Sequence, residues 1–152
     1  MILDTQVRQL WAQTRLKVWP ERYYLVSLPL AALPVFADLF TQLAKVGTNN
    51  FSAVVIEQDE ISLTISEIVW RSVADRLDYA AVSSAYKVIT LNINLDLAVV
   101  GYLAPAATQL AQAGISIVPQ CAYLKDHLLI RETDLEQAQA VLIALIQTCQ
   151  AI

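Results

Sequence analysis

Between Lys87 and Ile130 the hydrophobic pattern changes period at each element boundary, and this stretch organises the reading of the whole chain. Ile89, Leu91 and Ile93 alternate with Val88, Thr90, Asn92 and Asn94, the period-two pattern of a strand whose isoleucines and leucine face a core. From Val99 the period becomes helical. Val99, Leu103, Ala106, Ala107, Leu110 and Ala111 fall at helical spacing, and Gly114 stops the helix by supplying a left-handed residue. The spacing predicts a helix over Ala98–Ala113, and Pro105, which has no backbone donor, implies a late start or a kink. Ile115, Ile117 and Val118 then read as a second strand and Leu128, Leu129 and Ile130 as a third, with Leu124, Lys125 and Asp126 as the hairpin turn.

The preceding residues carry the same order of elements in a less regular form. Residues 4–14 form an amphipathic pattern with Asp4 as N-cap and Leu3, Val7, Leu10 and Trp11 on one face, suited to packing on its own chain. Leu16–Trp19 is a brief extended piece, Pro20–Arg22 a turn, and Tyr23–Leu28 a strand of aromatic and β-branched residues. Pro34 opens a helix bearing Phe36, Leu39, Phe40 and Leu43, Gly47 closes it, and Thr48, Asn49 and Asn50 make a polar loop. Ser52–Glu57 and Ile61–Ser66 form a second hairpin, followed by a helical pattern at Val69, Trp70, Val73 and Leu77 and a linker over Asp78–Ser84. A last helix starts at Asp134 as N-cap and turns Leu135, Ala138, Val141, Leu142, Leu145 and Ile146 inward.

Strand, helix, strand, strand, helix thus occurs twice, over 23–77 and 87–149. This predicts an α+β chain of two tandem ferredoxin-like βαββαβ units with antiparallel sheets and helices on one face. The expected organisation is an N-terminal helix over 1–15, a degenerate unit over 16–80 and a second unit over 81–152. The second unit lacks a fourth strand after its last helix, so Leu16–Trp19 is predicted to pair with its sheet.

Composition narrows the function classes. The chain has 152 residues, 57% of them hydrophobic, enough to bury a core in one domain or two small ones. Its net charge of -4 and ten scattered basic residues argue against a nucleic-acid surface, which needs clustered Lys and Arg. The longest apolar run free of Gly and Pro, Ala140–Ile146, falls far short of the ~20 residues of a membrane span. The opening Met1-Ile2-Leu3-Asp4 lacks the basic start and apolar core of a secretory leader, which makes a cytoplasmic location the expectation. Cys121 and Cys149 have no metal-ligand or CxxC spacing and read as reduced thiols, one on a strand and one near a helix end.

The runs Ile89-Thr90-Leu91, Val99-Val100-Gly101 and Gly114-Ile115-Ser116, with Tyr123 and Asp126-His127, carry a resemblance. They resemble the C-terminal half of small bacterial tandem ACT-domain proteins of uncharacterised function. The resemblance is specific over 86–131 and weak over 30–85. It implies a non-catalytic regulatory protein that binds an amino acid or related metabolite between ACT-type units, near the start of the 98–113 helix. The implied site residues are Asn94, Asp96, Val100, Gly101 and Tyr102, with Gln120, Cys121, Ala122, Tyr123, Asp126 and His127 from the hairpin. A homodimer is the expected partner state. Leu95 and Asp96 replace hydroxyls of the family's turn, Val118 or Pro119 a polar position, and Lys125 the first histidine of the hairpin. These losses favour the alternative of a ligand-free association module.

Elementary chemistry allows a site at that place. Backbone amides at a helix start suit a carboxylate, and Gly101 would permit close approach. The competing structural reading makes Asn94 and Asp96 helix caps and Gly101 an aid to packing. Catalysis could recruit Cys121 as nucleophile, His127 as base and Asp126 as its support, but neighbours on a strand point to opposite faces. A turn-satisfying Asp126 and a half-buried His127 account for the pair more simply. One histidine and no cluster of Cys or carboxylates does not make a metal site, and no cofactor motif occurs. The expectation is no enzyme, no metal and no cofactor.

Overall fold

The computed structural model describes residues 4–46 and 50–151. Leu3, Gly47, Thr48 and Asn49 lie outside the described residues, as does the side chain of Leu43. In chain order the elements are α1 (Thr5–Gln13), β1 (Leu16–Val18), β2 (Tyr23–Leu28), α2 (Leu33–Val46), β3 (Ala53–Ile56), β4 (Ile61–Ser66) and α3 (Glu67–Val73). There follow β5 (Ala81–Val82), β6 (Tyr86–Leu91), α4 (Ala104–Gln112), β7 (Ile117–Cys121), β8 (Asp126–Arg131) and α5 (Leu135–Gln150). They divide into two compact units, one of residues 19–86 and one combining 1–18 with 87–152.

In the 19–86 unit the alternation of β2 and β4 sends Val26, Leu28, Ile61, Leu63 and Ile65 to one face, where α2 and α3 cover them with Phe36, Leu39, Val69 and Val73. The other face buries Tyr23, whose ring meets Phe51 edge-on at 6.1 Å and whose hydroxyl accepts from the Phe51 amide at 3.3 Å. The stretch expected to be a linker carries a strand. Val82 and Ala81 of β5 lie opposite Val26 and Ser27 of β2, and Ala80 N and Ser83 N extend the ladder to Ser27 O and Leu25 O. Two residues are too few to show a period, so this strand is set by its partner and not by local pattern. The strand order β5-β2-β4-β3 makes this unit a complete βαββαβ fold.

The other unit obtains its fourth strand from the N-terminus, as the element count required. β1 pairs antiparallel with β6, Leu16 opposite Leu91 and Val18 opposite Ile89, and the order is β1-β6-β8-β7. Ile89, Leu91, Leu128 and Ile130 point to the helices and join Leu110, Ala138, Leu142 and Ile146 in one core. Asp4 caps α1 by accepting from Gln6 N at 2.8 Å, and Val7 and Trp11 on its apolar face enter the same core. Gln150 Nε2 ties α5 to Ala12 O at 2.9 Å.

Several boundaries differ from the sequence expectation. The 98–113 helix begins only at Ala104, with Pro105 in its first turn where a missing N–H costs nothing, and residues 92–103 form a loop. Pro105 therefore acts as a late start and not a kink. β6 is regular only to Leu91, although Asn92 N continues the β1–β6 register by donating to Arg15 O (2.7 Å). Asp126 belongs to β8 and not to the turn, and Pro119 lies inside β7. Asp134 stands at the N-cap position of α5 after a short 3-10 turn, without a side-chain cap bond. Gly114 ends α4 at φ +74°, as its left-handed role demands.

Candidate functional site

Where the 92–103 loop faces the hairpin between β7 and β8, the walls leave a cavity of about 300 Å³, within the range of small-ligand sites. The loop supplies Leu95, Asp96, Val99, Gly101 and Tyr102, and the hairpin Cys121 to Asp126. The strand register explains the second wall. Cys121 lies opposite Asp126 on the helix-facing side of the hairpin, whereas Gln120 and His127 pair one step along and point to the other face.

The loop is held from three sides. Asn92 N donates to Arg15 O at 2.7 Å and Leu95 N to Leu124 O at 2.9 Å. Tyr102 is 3% exposed, accepts from Trp11 Nε1 on its carbonyl at 2.8 Å and stacks on the Trp11 ring at 5.1 Å. Its hydroxyl lies 2.8 Å from Thr14 Oγ1, and that oxygen donates its own proton to Leu10 O at 2.8 Å, so Tyr102 is the donor of the pair. Burial pushes the Tyr102 phenol up to about 12 and the Asp126 charge adds to it, whereas a Thr14 hydroxyl turned to donate to the phenolate would oppose both. Lys125, which lines the cavity, donates from Nζ to Asn92 Oδ1 at 2.8 Å.

Seven of the eleven residues implied by the resemblance line this cavity: Asp96, Gly101, Tyr102, Cys121, Ala122, Tyr123 and Asp126. Asn94 and Val100 are exposed outside it, and Gln120 and His127 lie on the opposite face of the sheet. Reasoning from the sequence leaves Leu95, Leu97, Val99, Leu103, Ala104, Leu124 and Lys125 out of the site; Val99 and Leu103 read there as part of the helix pattern.

The chemistry assigned to two residues changes. Asp96 does not cap α4; its Oδ1 accepts from Ala98 N at 2.8 Å and its carbonyl from Val99 N at 3.0 Å, six residues before the helix. The helix start itself offers few amides, because Pro105 has none and Ala104 N is bonded to Gly101 O. Gly101 has φ +81° and a Cβ there would meet nothing within 4 Å, so backbone conformation and not close approach explains the glycine.

The three residues of a catalytic reading separate. Asp126 accepts from the Cys121 thiol opposite it; that bond, burial and the carboxylate's charge push the thiol up to about 11. A thiol so protonated is a poor nucleophile at neutral pH. His127 Nδ1 lies 2.8 Å from buried Thr90 Oγ1 on the far face. Burial holds the His127 imidazole below its usual range; Asp126 opposes this, and Lys125 and Lys17 reinforce it. Among the described residues no three His, Cys, Asp or Glu side chains gather as metal ligands, and no helix is long and apolar enough to cross a membrane.

The comparisons with known proteins bear on the half that holds this cavity. Residues 82–144 match the family model of the ACT domain. The fold is of the ACT type. Solved structures extend the likeness over both units. A protein of unknown function from Vibrio cholerae, described as a possible transport protein, superposes with a TM-score of 0.69 at 22% identity, covering 93% of this chain and 96% of its own. A protein from Agrobacterium tumefaciens gives 0.63 at 22% identity, covering 88% and 89%. The regulatory subunit of aspartate kinase from Thermus thermophilus gives 0.59 at 12% identity, covering 87% and 97%. No curated protein matches the chain. ACT domains as a class are regulatory units that bind small ligands, and the neighbours described by function include regulatory parts of an enzyme.

Proposed function

We propose that this protein is a non-catalytic sensor and that the cavity between the 92–103 loop and the β7–β8 hairpin takes a free amino acid or a closely related zwitterion. The observation that carries this reading is the lining. Asp96 and Asp126 can face an ammonium group and Lys125 a carboxylate, while Leu95, Val99 and Leu103 offer an apolar wall for a side chain. The regulatory class of the ACT fold agrees with it. A ligand of this kind would act by favouring one packing state of the protein over another, since equal affinity for both shifts nothing.

Thermal unfolding with each of the twenty amino acids and a set of nucleotides at millimolar concentration tests the reading. A compound at ~100 times its Kd stabilises by ~2.7 kcal/mol. The expected result is a selective shift, removed by Asp126→Asn and by Ala104→Leu, which fills the cavity without straining a left-handed glycine. No shift with any compound would end the sensor reading.

One observation favours a second reading, an association module without a ligand. Leu97 (71% exposed) and Tyr123 (76%) at the cavity, with Val100 (85%) outside it, are exposed apolar side chains that a second copy of the chain could cover. Sedimentation decides here: the module predicts a dimer that Val100→Asp dissociates, and a monomer at all concentrations excludes it.

A further inference from the structure

The loop that walls the cavity is anchored chiefly by a segment distant in sequence. Two of its bonds reach the hairpin, Leu95 N to Leu124 O and Lys125 Nζ to Asn92 Oδ1, and three reach residues 11–15. Asn92 N is bonded to Arg15 O where the loop begins, and Tyr102 is held by Trp11 and Thr14 where it ends. Trp11 is fully buried and Thr14 is 3% exposed, so both bonds lie in a dry environment, where each unmade partner is costly. The same segment is the edge strand of the sheet, held there by the three residue pairs of β1 with β6. An edge strand of three residues is among the first parts of a fold to open.

We propose that residues 5–18 are a latch on the cavity, with Tyr102 as the positioning residue through which they act. When the segment is docked, both ends of the 92–103 loop are fixed and the Tyr102 ring is the back wall. When β1 leaves β6, the hydroxyl of Thr14, the indole N–H of Trp11 and the carbonyl of Arg15 leave together, and the loop keeps only its two bonds to the hairpin. Anything that fills the cavity against Tyr102 then favours the docked segment, and docking the segment tightens the site by the same factor. This names the regulation of the proposed ligand site and rests on that reading for its ligand arm alone.

The test begins without ligand, using Thr14→Val, which keeps the shape and removes the hydroxyl, and Trp11→Phe, which removes the indole donor. Ile130→Val, a change in the same core away from Tyr102, is the control for general loss of stability. Hydrogen exchange under native conditions should rise at least tenfold in the 92–103 loop of both latch variants and not in the control. Unchanged exchange in the loop of folded Thr14→Val and Trp11→Phe overturns the latch. The second arm adds the amino acid that gives the largest thermal shift and expects slower exchange in α1. With a thermal shift in hand, unchanged α1 exchange also overturns the coupling. If no amino acid binds while the first arm succeeds, the latch stands and only the sensor reading falls.

Discussion

At the scale of single residues the most informative groups are Asp126 and its two neighbours in space. Asp126 raises the Cys121 thiol to about 11 chiefly through a direct hydrogen bond, so Asp126→Asn should lower it toward the ordinary thiol range. Alkylation of Cys121 at pH 8 is expected to speed up about tenfold, since the gain in thiolate is partly offset by lower intrinsic nucleophilicity. Peptide mass spectrometry of the labelled protein reads this, and an unchanged rate would contradict the bond. His127 gives the opposite titration. Its folded form resists protonation because it is buried, so the unfolded chain binds the proton more readily as pH falls through the usual histidine range. Stability contributed by the neutral ring is present above that range and is lost on acidification through it. Urea denaturation between pH 7.5 and 5 should show the loss, and His127→Asn should flatten it. Sequence reasoning placed His127 as half-buried at the strand start and separated it from Asp126 by strand alternation. It could not see that Asp126 faces Cys121, because that depends on the register of Cys121 against Asp126 across the hairpin.

At the scale of elements, strands and helices with long periodic patterns were legible, and the loop was not. β6, α5 and the N-terminal helix follow their hydrophobic spacing closely. Residues 98–103 imitate a helix because Val99 and Leu103 fall in phase with Leu110, yet in the structure they belong to a loop that packs against the core and lines the cavity. Pro105 decided the boundary, since a helix tolerates it only in the first turn. β5 escaped notice for the opposite reason, being too short to have a pattern. Gly114 lets the element scale be checked: its φ is +74° with open space around it, so Gly114→Ala should cost ~1 kcal/mol from backbone strain alone. Chemical denaturation measures this, and a cost several times larger would mean that packing was also disturbed.

At the scale of the molecule, two cores are built from chain segments that interleave: the 19–86 unit is continuous, and the other encloses it in sequence. The 19–86 fragment owns all four of its strands and should fold alone, with the few kcal/mol of stability that roughly 70 residues supply. The 87–152 fragment lacks β1 and the buried Trp11, and should melt without cooperativity until a peptide of residues 1–18 is added. Circular dichroism of the two fragments, with and without the peptide, tests both statements. The repeat of element order in the sequence foretold this missing strand and its source, because counting elements is independent of their exact ends. The borrowed strand also sets an order of events during synthesis. Residues 1–18 leave the ribosome well before their partners β6 and α5, so at ~5–20 residues per second the apolar face of α1 waits on the order of ten seconds. The continuous unit emerges in that interval and can fold, while Val7 and Trp11 are exposed to whatever chaperone attends the nascent chain.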